Sequence, residues 1–172
     1  MIDGFTFDIS GALAHFRKFY GTNTAMSYGV PPRTTLMGII AARAGLKKES
    51  YHEIFHSDHL RLGVALLTPL RKRFQRVNNL KIKGGSDFRG RKGRQQTPLE
   101  LVSATSFPEE DISYRVYVAP GMSGDHHGFM ISRESFFNPP PSSYATCLGA
   151  AFCLARIHDI KTTQFDEVTA GS

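Results

Sequence analysis

Residues 112–118, ISYRVYV, alternate in character along their whole length. The apolar side of the stretch is formed by Ile112, Tyr114, Val116 and Val118. Because successive side chains of a strand point to opposite faces, a period of two predicts a strand with one face on a core. The protein is therefore expected to contain a sheet that is covered on one side.

Further strands and two helices are predicted on either side of this stretch. A helix can begin only after Pro31 and Pro32, and glycine is a common residue just past a helix end. In chain order, the elements are a strand at Phe5, Phe7 and Ile9, a buried helix capped by Thr34 or Thr35 and ending at Gly45, a central strand at 59–69, the strand at 112–118, a short helix at 132–137 and a last strand at 153–160. This βαββαβ order predicts an α+β fold of the ferredoxin-like or RNA-recognition-motif type, with both helices on one face of an antiparallel sheet.

Length and composition are those of an ordinary globular chain. A length of 172 residues suits a single domain, 1–172, and 41% hydrophobic with 21% charged residues does not indicate disorder. No apolar run approaches a membrane span, and the N-terminus lacks the layout of a secretion signal. A cytoplasmic protein without membrane contact is expected, with Cys147 and Cys153 as free thiols.

The excess positive charge of the chain is concentrated in one segment. Ten Lys or Arg lie between Arg71 and Arg94, against the single acid Asp87. The segment thus carries +9, and since the whole chain carries +6, the remainder carries −3. It lies in the connection 70–111 between the second and third predicted strands, which is far longer than a hairpin loop. We expect an inserted basic arm there, either flexible or two-stranded.

This arm is the main functional signal. Closely spaced cations repel one another unless an anion lies among them, and a nucleic-acid backbone is such an anion. Phe74 and Phe88 interrupt the cations and suit the stacking of unpaired bases, which favours RNA. The side chains of the arm that are predicted to bind phosphate are Arg71, Arg73, Lys81, Lys83, Arg89, Arg91, Lys92 and Arg94.

Two other motifs suggest catalysis. Residues 52–59, HEIFHSDH, contain the H-E-x-x-H pattern of zinc hydrolases, in which His52 and His56 would hold the metal and Glu53 would activate water. The pattern lies in a short linker, which favours an exposed connecting helix with Ile54 and Phe55 packed inward. The pair His126 and His127 could serve as acid and base in RNA cleavage.

Three ordered stretches resemble the CRISPR-associated Cas-five family of the RAMP superfamily. They are 7–46 (FDISGALAHFRKFYGTNTAMSYGVPPRTTLMGIIAARAGL), RQQTPLEL followed by ISYRVYV, and 147–160 (CLGAAFCLARIHDI). The resemblance implies a ferredoxin-like RNA-binding subunit of the type I surveillance complex, Cascade, with a basic hairpin thumb. Such a subunit grips the five-prime handle of the guide RNA (crRNA) and contacts backbone and large subunits. Family members often continue into a further C-terminal portion, which is expected to be absent or very short here.

One branch of the family cleaves its own precursor RNA with a tyrosine and a Lys-His pair. Tyr28 matches that tyrosine, but the stretch corresponding to the pair reads GRQQT, residues 93–97. Glutamine cannot cycle a proton at neutral pH. The resemblance thus implies a non-catalytic subunit without cofactor or metal, in which Arg33 lines the turn before the helix and Tyr28 is either an RNA contact or a core residue. The alternative is a metal-independent endoribonuclease that uses Tyr28 with His126 or His127.

Overall fold

A computed structural model of the chain describes residues 1–20, 24–48, 50–90, 92–124 and 126–166. The strands are β1 (Ile2–Gly11), β2 (Phe16–Arg17), β3 (Ser27–Tyr28), β4 (Leu60–Leu66), β5 (Leu70–Leu80), β6 (Arg94–Ala104), β7 (Ile112–Pro120) and β8 (Arg156–Phe165), and the helices are α1 (Arg33–Arg43), α2 (Tyr51–Ile54) and α3 (His127–Phe137). The predicted α+β class is confirmed. No helix in the described ranges is both long and apolar enough to cross a membrane.

The main sheet has the strand order β4-β7-β1-β8, and each neighbouring pair is antiparallel. Alternation in 112–118 places Tyr114, Val116 and Val118 in the core, where they are fully buried. The prediction of a central strand at 59–69 is wrong, because β4 lies at the edge of this sheet. Its leucines and its valine indicate one covered face, and they do not indicate how many strands lie beside it.

The ends of three elements differ from the prediction. Helix α1 begins directly after Pro32, with no side-chain cap, so the predicted threonine cap is wrong. The backbone of Pro32 is extended and its carbonyl accepts the N–H groups of Thr35 and Leu36, so the proline itself starts the helix. Gly45, with φ of 67°, follows the end of the helix as expected.

Helix α3 is longer than predicted, since it begins at His127 and not at 132. The last strand is displaced along the chain, from the predicted 153–160 to 156–165. Cys147 bridges to Leu154, and the N–H of Leu148 donates to the carbonyl of Cys153, so these residues close a turn ahead of β8. Neither cysteine forms a disulfide.

An aromatic cluster joins the sheet to α3. The rings of Phe7 and Phe136 are 4.3 Å apart, and the ring of Phe5 lies 5.3 Å from that of Phe136. Ile39 and Ile40 of α1 belong to the same core. Both long helices therefore pack on one face of the sheet. The opposite face, which carries the even-numbered side chains of β1, points away from them.

We expect Phe7→Ala to destabilise the protein strongly, because Phe7 is fully buried between the sheet and α3. Truncation of a buried Phe costs about 3–5 kcal/mol of unfolding free energy. Phe19, 90% exposed, is the matched control, and Phe19→Ala should cost less than about 0.5 kcal/mol. Urea denaturation measures both changes, and equal losses in the two variants would contradict the assigned core.

Candidate nucleic-acid interface

The long basic connection forms a β-hairpin that is separate from the main sheet. Strand β5 pairs with β6 in an unbroken antiparallel register from Leu70 opposite Ala104 to Leu80 opposite Arg94. A short 3-10 helix, Gly85–Arg89, lies within the tip. Of the two forms considered for the arm, the structure has the two-stranded one. We call residues 70–104 the basic hairpin.

Backbone hydrogen bonds fasten the base of the basic hairpin to the N-terminal part of the chain. Ala14 and Val102 exchange two N–H···O bonds of 2.8 Å each. The N–H of Glu100 donates to the carbonyl of Ala25 (2.9 Å), and the N–H of Ala25 donates to that of Pro98 (3.1 Å). Strand β6 is thus paired on both of its edges near the base, which fixes the direction in which the basic hairpin leaves the body.

A buried carboxylate lies at this junction. Glu100 is 5% exposed, and its Oε2 accepts the N–H of Ser27 at 2.7 Å. The Lys72 ammonium lies 3.5 Å from the same oxygen and donates to the carbonyl of Ser27 at 2.7 Å. His15 Nδ1 is 2.8 Å from the Glu100 carbonyl. A buried charge needs such partners, so this network links both strands of the basic hairpin to β3.

The acid of the basic hairpin's tip, Asp87, organises the turn. It is 4% exposed, and its Oδ2 accepts the N–H groups of Lys83 at 2.8 Å and Gly84 at 3.0 Å. The Lys92 ammonium lies 2.9 Å from its Oδ1. The hydrogen bond from the Lys83 backbone, followed by that from Lys92, lowers the pKa of Asp87. Asp87 therefore holds the tip together, and Lys92 is its one ion-pair partner among the described residues.

The cations of the basic hairpin fall into two groups. Lys72 and Lys92 are paired as described, and Arg73 donates to the carbonyl of Phe107 at 3.4 Å with its guanidinium over that ring. The second group is exposed and, within the described part of the chain, has no ion-pair partner. Its members are Arg71, Arg76, Lys81, Lys83, Arg89 and Arg94. We call these six residues the free cations.

The free cations include five of the eight predicted phosphate ligands of the arm. Arg73 and Lys92 are instead occupied within the protein. Arg91 lies outside the described residues. Arg76 was not among the predicted ligands, although it follows Arg73 closely in the sequence. Its exposed position on β5 became evident only from the strand pairing.

A cleft of about 590 Å³ separates the basic hairpin from the body. Val77, Asn79, Thr97 and Leu99 line its hairpin side. The opposite side is formed by Arg17 of β2, the first residues of α1 and the loop that contains Gly149, Ala150 and Phe152. Apolar walls with a few amide, hydroxyl and guanidinium groups are typical of a site that binds an organic ligand.

A second cluster beside the cleft was missed by the sequence analysis. The Lys18 ammonium lies 5.5 Å from the ring centroids of both Tyr20 and Tyr28. Phe19 is highly exposed next to them, and Arg17 lines the cleft. The signal was the sequence FRKFY, residues 16–20, in which two cations lie between aromatic residues. Such interleaving is typical of surfaces that stack bases.

The two predicted residues of the turn have different surroundings. Tyr28 is half-buried on β3, where it pairs with Phe16 and has Lys18 beside its ring. Arg33 donates to the carbonyls of Phe55 (2.9 Å) and Leu60 (2.8 Å), so it joins the start of α1 to the segment leading into β4. Tyr28 is thus beside the cleft, whereas Arg33 has a role in the fold.

The zinc pattern does not form a helical pair. Helix α2 has four residues and ends at Ile54, so His56 lies beyond it. The His56 ring is 3.3 Å from Asp58, and the His52 ring lies against that of Tyr51. Phe55 is fully buried and Ile54 packs against the core, as expected for a connecting helix.

The alternative catalytic residues lie on different elements. His126 and His127 are at the start of α3, whose Gly128 lies close against the carbonyl of Ile54. Tyr28 is on β3, beside the basic hairpin. The structure therefore does not bring the tyrosine and the histidine pair onto one element.

One group of residues has ligand atoms within 4.8 Å of one another in the described part of the chain: Asp8, His158 and Asp159. Both oxygens of Asp8 accept hydrogen bonds of 2.8 Å from Arg115. The hydrogen bond from His158, followed by the nearby Lys161, lowers the pKa of Asp159. Because the guanidinium already neutralises Asp8, the group is better described as an ion-pair network than as a metal site.

Comparisons with known proteins show a fold shared with solved structures, but no sequence match. A scan against family models finds no match, and no curated protein matches the sequence. A chain of a CRISPR RNA-guided surveillance complex superimposes with a TM-score of 0.60 at 14% identity, over 88% of this chain and 59% of that chain. A CRISPR protein from Archaeoglobus fulgidus also matches, with a TM-score of 0.49 at 16% identity, over 95% of this chain and 65% of that chain. A functionally uncharacterized protein from Streptococcus mutans matches with a TM-score of 0.42 at 16% identity, over 92% of this chain and 66% of that chain. The chain spans less than two thirds of the length of each structure, and the first likeness shows the fold alone.

We expect Glu100→Ala to loosen the base of the basic hairpin, since the N–H of Ser27 and the ammonium of Lys72 lose their acceptor. An unsatisfied buried donor costs about 1–3 kcal/mol of unfolding free energy. Glu100→Gln keeps an acceptor oxygen and is the matched control with a smaller loss. Urea denaturation and hydrogen exchange of the hairpin amides measure the effect. Wild-type stability and protection in both variants would show that the network does not hold the arm.

We expect the tip to respond to acid through Asp87. Because its pKa in the folded protein lies below the ordinary 3.8, the carboxylate stabilises the tip above that pH, and the contribution is lost as the pH falls through the lower folded value. The amide resonances of Lys83 and Gly84 should shift in one transition centred below pH 3.8. Asp87→Asn should remove this transition. A midpoint above 3.8 in the wild type would argue against the hydrogen bonds.

Proposed function

We propose that the chain is a non-catalytic RNA-binding subunit of a type I CRISPR surveillance complex, of the Cas-five type in the RAMP superfamily. It holds the five-prime handle of crRNA between the basic hairpin and the body of the protein. The observation that carries this proposal is the presence of six exposed cations, without an ion-pair partner among the described residues, on a hairpin whose base is fixed beside a cleft.

The charge of the basic hairpin favours a polyanion over a solvated surface. Three of its cations have partners within the protein, so those charges are already offset in part. The free cations have none among the described residues, and their mutual repulsion is relieved when phosphates lie between them. Binding also releases counterions from the nucleic acid, which adds to its affinity at low salt.

The aromatic residues favour a single strand. Phe74, Phe88 and Phe19 are more than half exposed along the basic hairpin or beside the cleft, and Phe152 lines the cleft. An exposed ring stacks on an unpaired base and is inaccessible to the bases within a duplex. Asn79 and Thr97 lie in the cleft and supply groups that can hydrogen-bond to base edges.

The fold supports the same assignment. The order β4-β7-β1-β8 with both long helices on one face is consistent with a ferredoxin-like fold, and a chain of a CRISPR RNA-guided surveillance complex has a similar structure. We assign residues 1–172 to one RAMP-type domain, with 70–111 as its basic insertion. The partners in this proposal are crRNA and the backbone and large subunits of the complex.

We expect a triple variant of the basic hairpin, Lys81→Gln, Arg89→Gln and Arg94→Gln, to weaken the binding of labelled handle RNA and to reduce its salt dependence. Each lost phosphate contact lowers the slope of log Kobs against log salt by about 0.7 for a single strand, so the slope should fall by roughly 2. Fluorescence anisotropy across a salt series measures both quantities.

The control changes the same net charge at exposed positions away from the basic hairpin, with Lys47, Lys48 and Arg133 replaced by Gln. It should bind the RNA with an almost unchanged slope. If the two triple variants lose the same affinity and slope, the protein binds through its net charge alone and the proposal fails.

A further inference from the structure

A separate cavity lies on the face of the main sheet that is turned away from the helices. Its volume is about 370 Å³, and its lining includes Ile2, Arg61, Gly63, Tyr117, Ala119 and Phe165. Strand register explains why these side chains meet. Gly63 of β4 pairs with Tyr117 of β7, and Ile2 of β1 pairs with Phe165 of β8, so residues from all four strands border one space.

Two aromatic rings form the walls of this cavity. The rings of Tyr117 and Phe165 are 6.2 Å apart in an edge-to-face arrangement. Glycines make room for both rings. A Cβ at Gly4 would collide with the Phe165 ring, and one at Gly63 would touch Tyr117 Cβ at 3.5 Å, so a longer side chain at 63 would cover the tyrosine.

The cavity contains a cation with an unused hydrogen-bond donor. The Nε of Arg61 is buried and has no hydrogen-bond partner among the described residues. Lys161 of β8 is exposed on the same face, because it and Tyr117 of β7 both pair with Thr6 of β1, which lies between them. Asp166 at the rim can accept a hydrogen bond from an exocyclic amino group. A ring to stack on, a buried donor without an acceptor and a nearby cation are together complementary to a nucleotide.

We infer that this cavity binds one unpaired nucleobase of the bound RNA, stacked on Tyr117, with Arg61 hydrogen-bonded to an acceptor of the base. The inference rests on the proposed function and adds a second contact to it. The second contact is distant from the basic hairpin. Arg61 lies five residues before the end of β4 at Leu66, or about 17 Å, and β5 begins only at Leu70.

The test uses the full chain and a fluorescently labelled single-stranded RNA of mixed sequence. Gly63→Leu fills the cavity from an exposed position, and Tyr117→Ala removes the stacking ring. Each should weaken binding roughly tenfold, the loss typical of one stacked base, without changing the salt slope, since no phosphate contact is lost. Tyr117→Phe keeps the ring and should bind like the wild type. In the wild type, RNA carrying iodouridine should crosslink to Tyr117.

Two failures can be told apart. Wild-type affinity in Gly63→Leu and Tyr117→Ala, with no crosslink at Tyr117, would overturn the base-binding site while the weakened hairpin variant still supports RNA binding. If the wild type and the hairpin variant also bind the handle RNA equally poorly, the proposed function fails, and the base-binding site fails with it. Circular dichroism of Tyr117→Ala checks its fold, and Gly63→Leu provides the test if that variant unfolds.

Discussion

Glu100 is buried where the basic hairpin joins the body, and its carboxylate accepts the backbone N–H of Ser27 while Lys72 bridges the two. This contact, with the backbone bonds of Ala14 and Ala25 to β6, fixes the direction of the basic hairpin. A cluster of like charges on an unanchored loop would spread to reduce its repulsion. The fixed base therefore holds the basic hairpin beside the cleft, so that the free cations along it keep set positions that a polyanion can meet.

The division of the cations follows from the same geometry. Lys72 and Arg73 lie near the base of β5, where carbonyls and an aromatic ring of the body are within reach. Lys92 lies at the tip, where Asp87 is buried by its own turn. The free cations include positions along β5 and at the tip where no such groups are described. Cations that stabilise the arm and cations that remain available to a ligand are thus distinguished by whether a carbonyl, a ring or a carboxylate of the protein lies within reach.

The local features of this fold could be predicted, and the features that depend on contacts between distant segments could not. The alternation of 112–118 and the charge of the arm are patterns of residues close together in the sequence, so a strand and a basic insertion could be inferred from them. Whether β4 lies at the centre or the edge depends on strands far away in the chain. The partners of Lys72 come from β3 and β6, so its role in anchoring was not evident. The FRKFY cluster meets Tyr28 only because β2 pairs with β3.

The central claim is that the basic hairpin and the body grip a single strand of RNA between them. A titration of isotopically labelled protein with handle RNA, followed by backbone amide chemical shifts, tests it most directly. The account predicts that the largest shifts fall on the residues that line the cleft and on the tip of the basic hairpin, including Arg17, Asn79, Thr97 and Lys81. Shifts scattered over unconnected surfaces, with these residues unaffected at saturation, would contradict it.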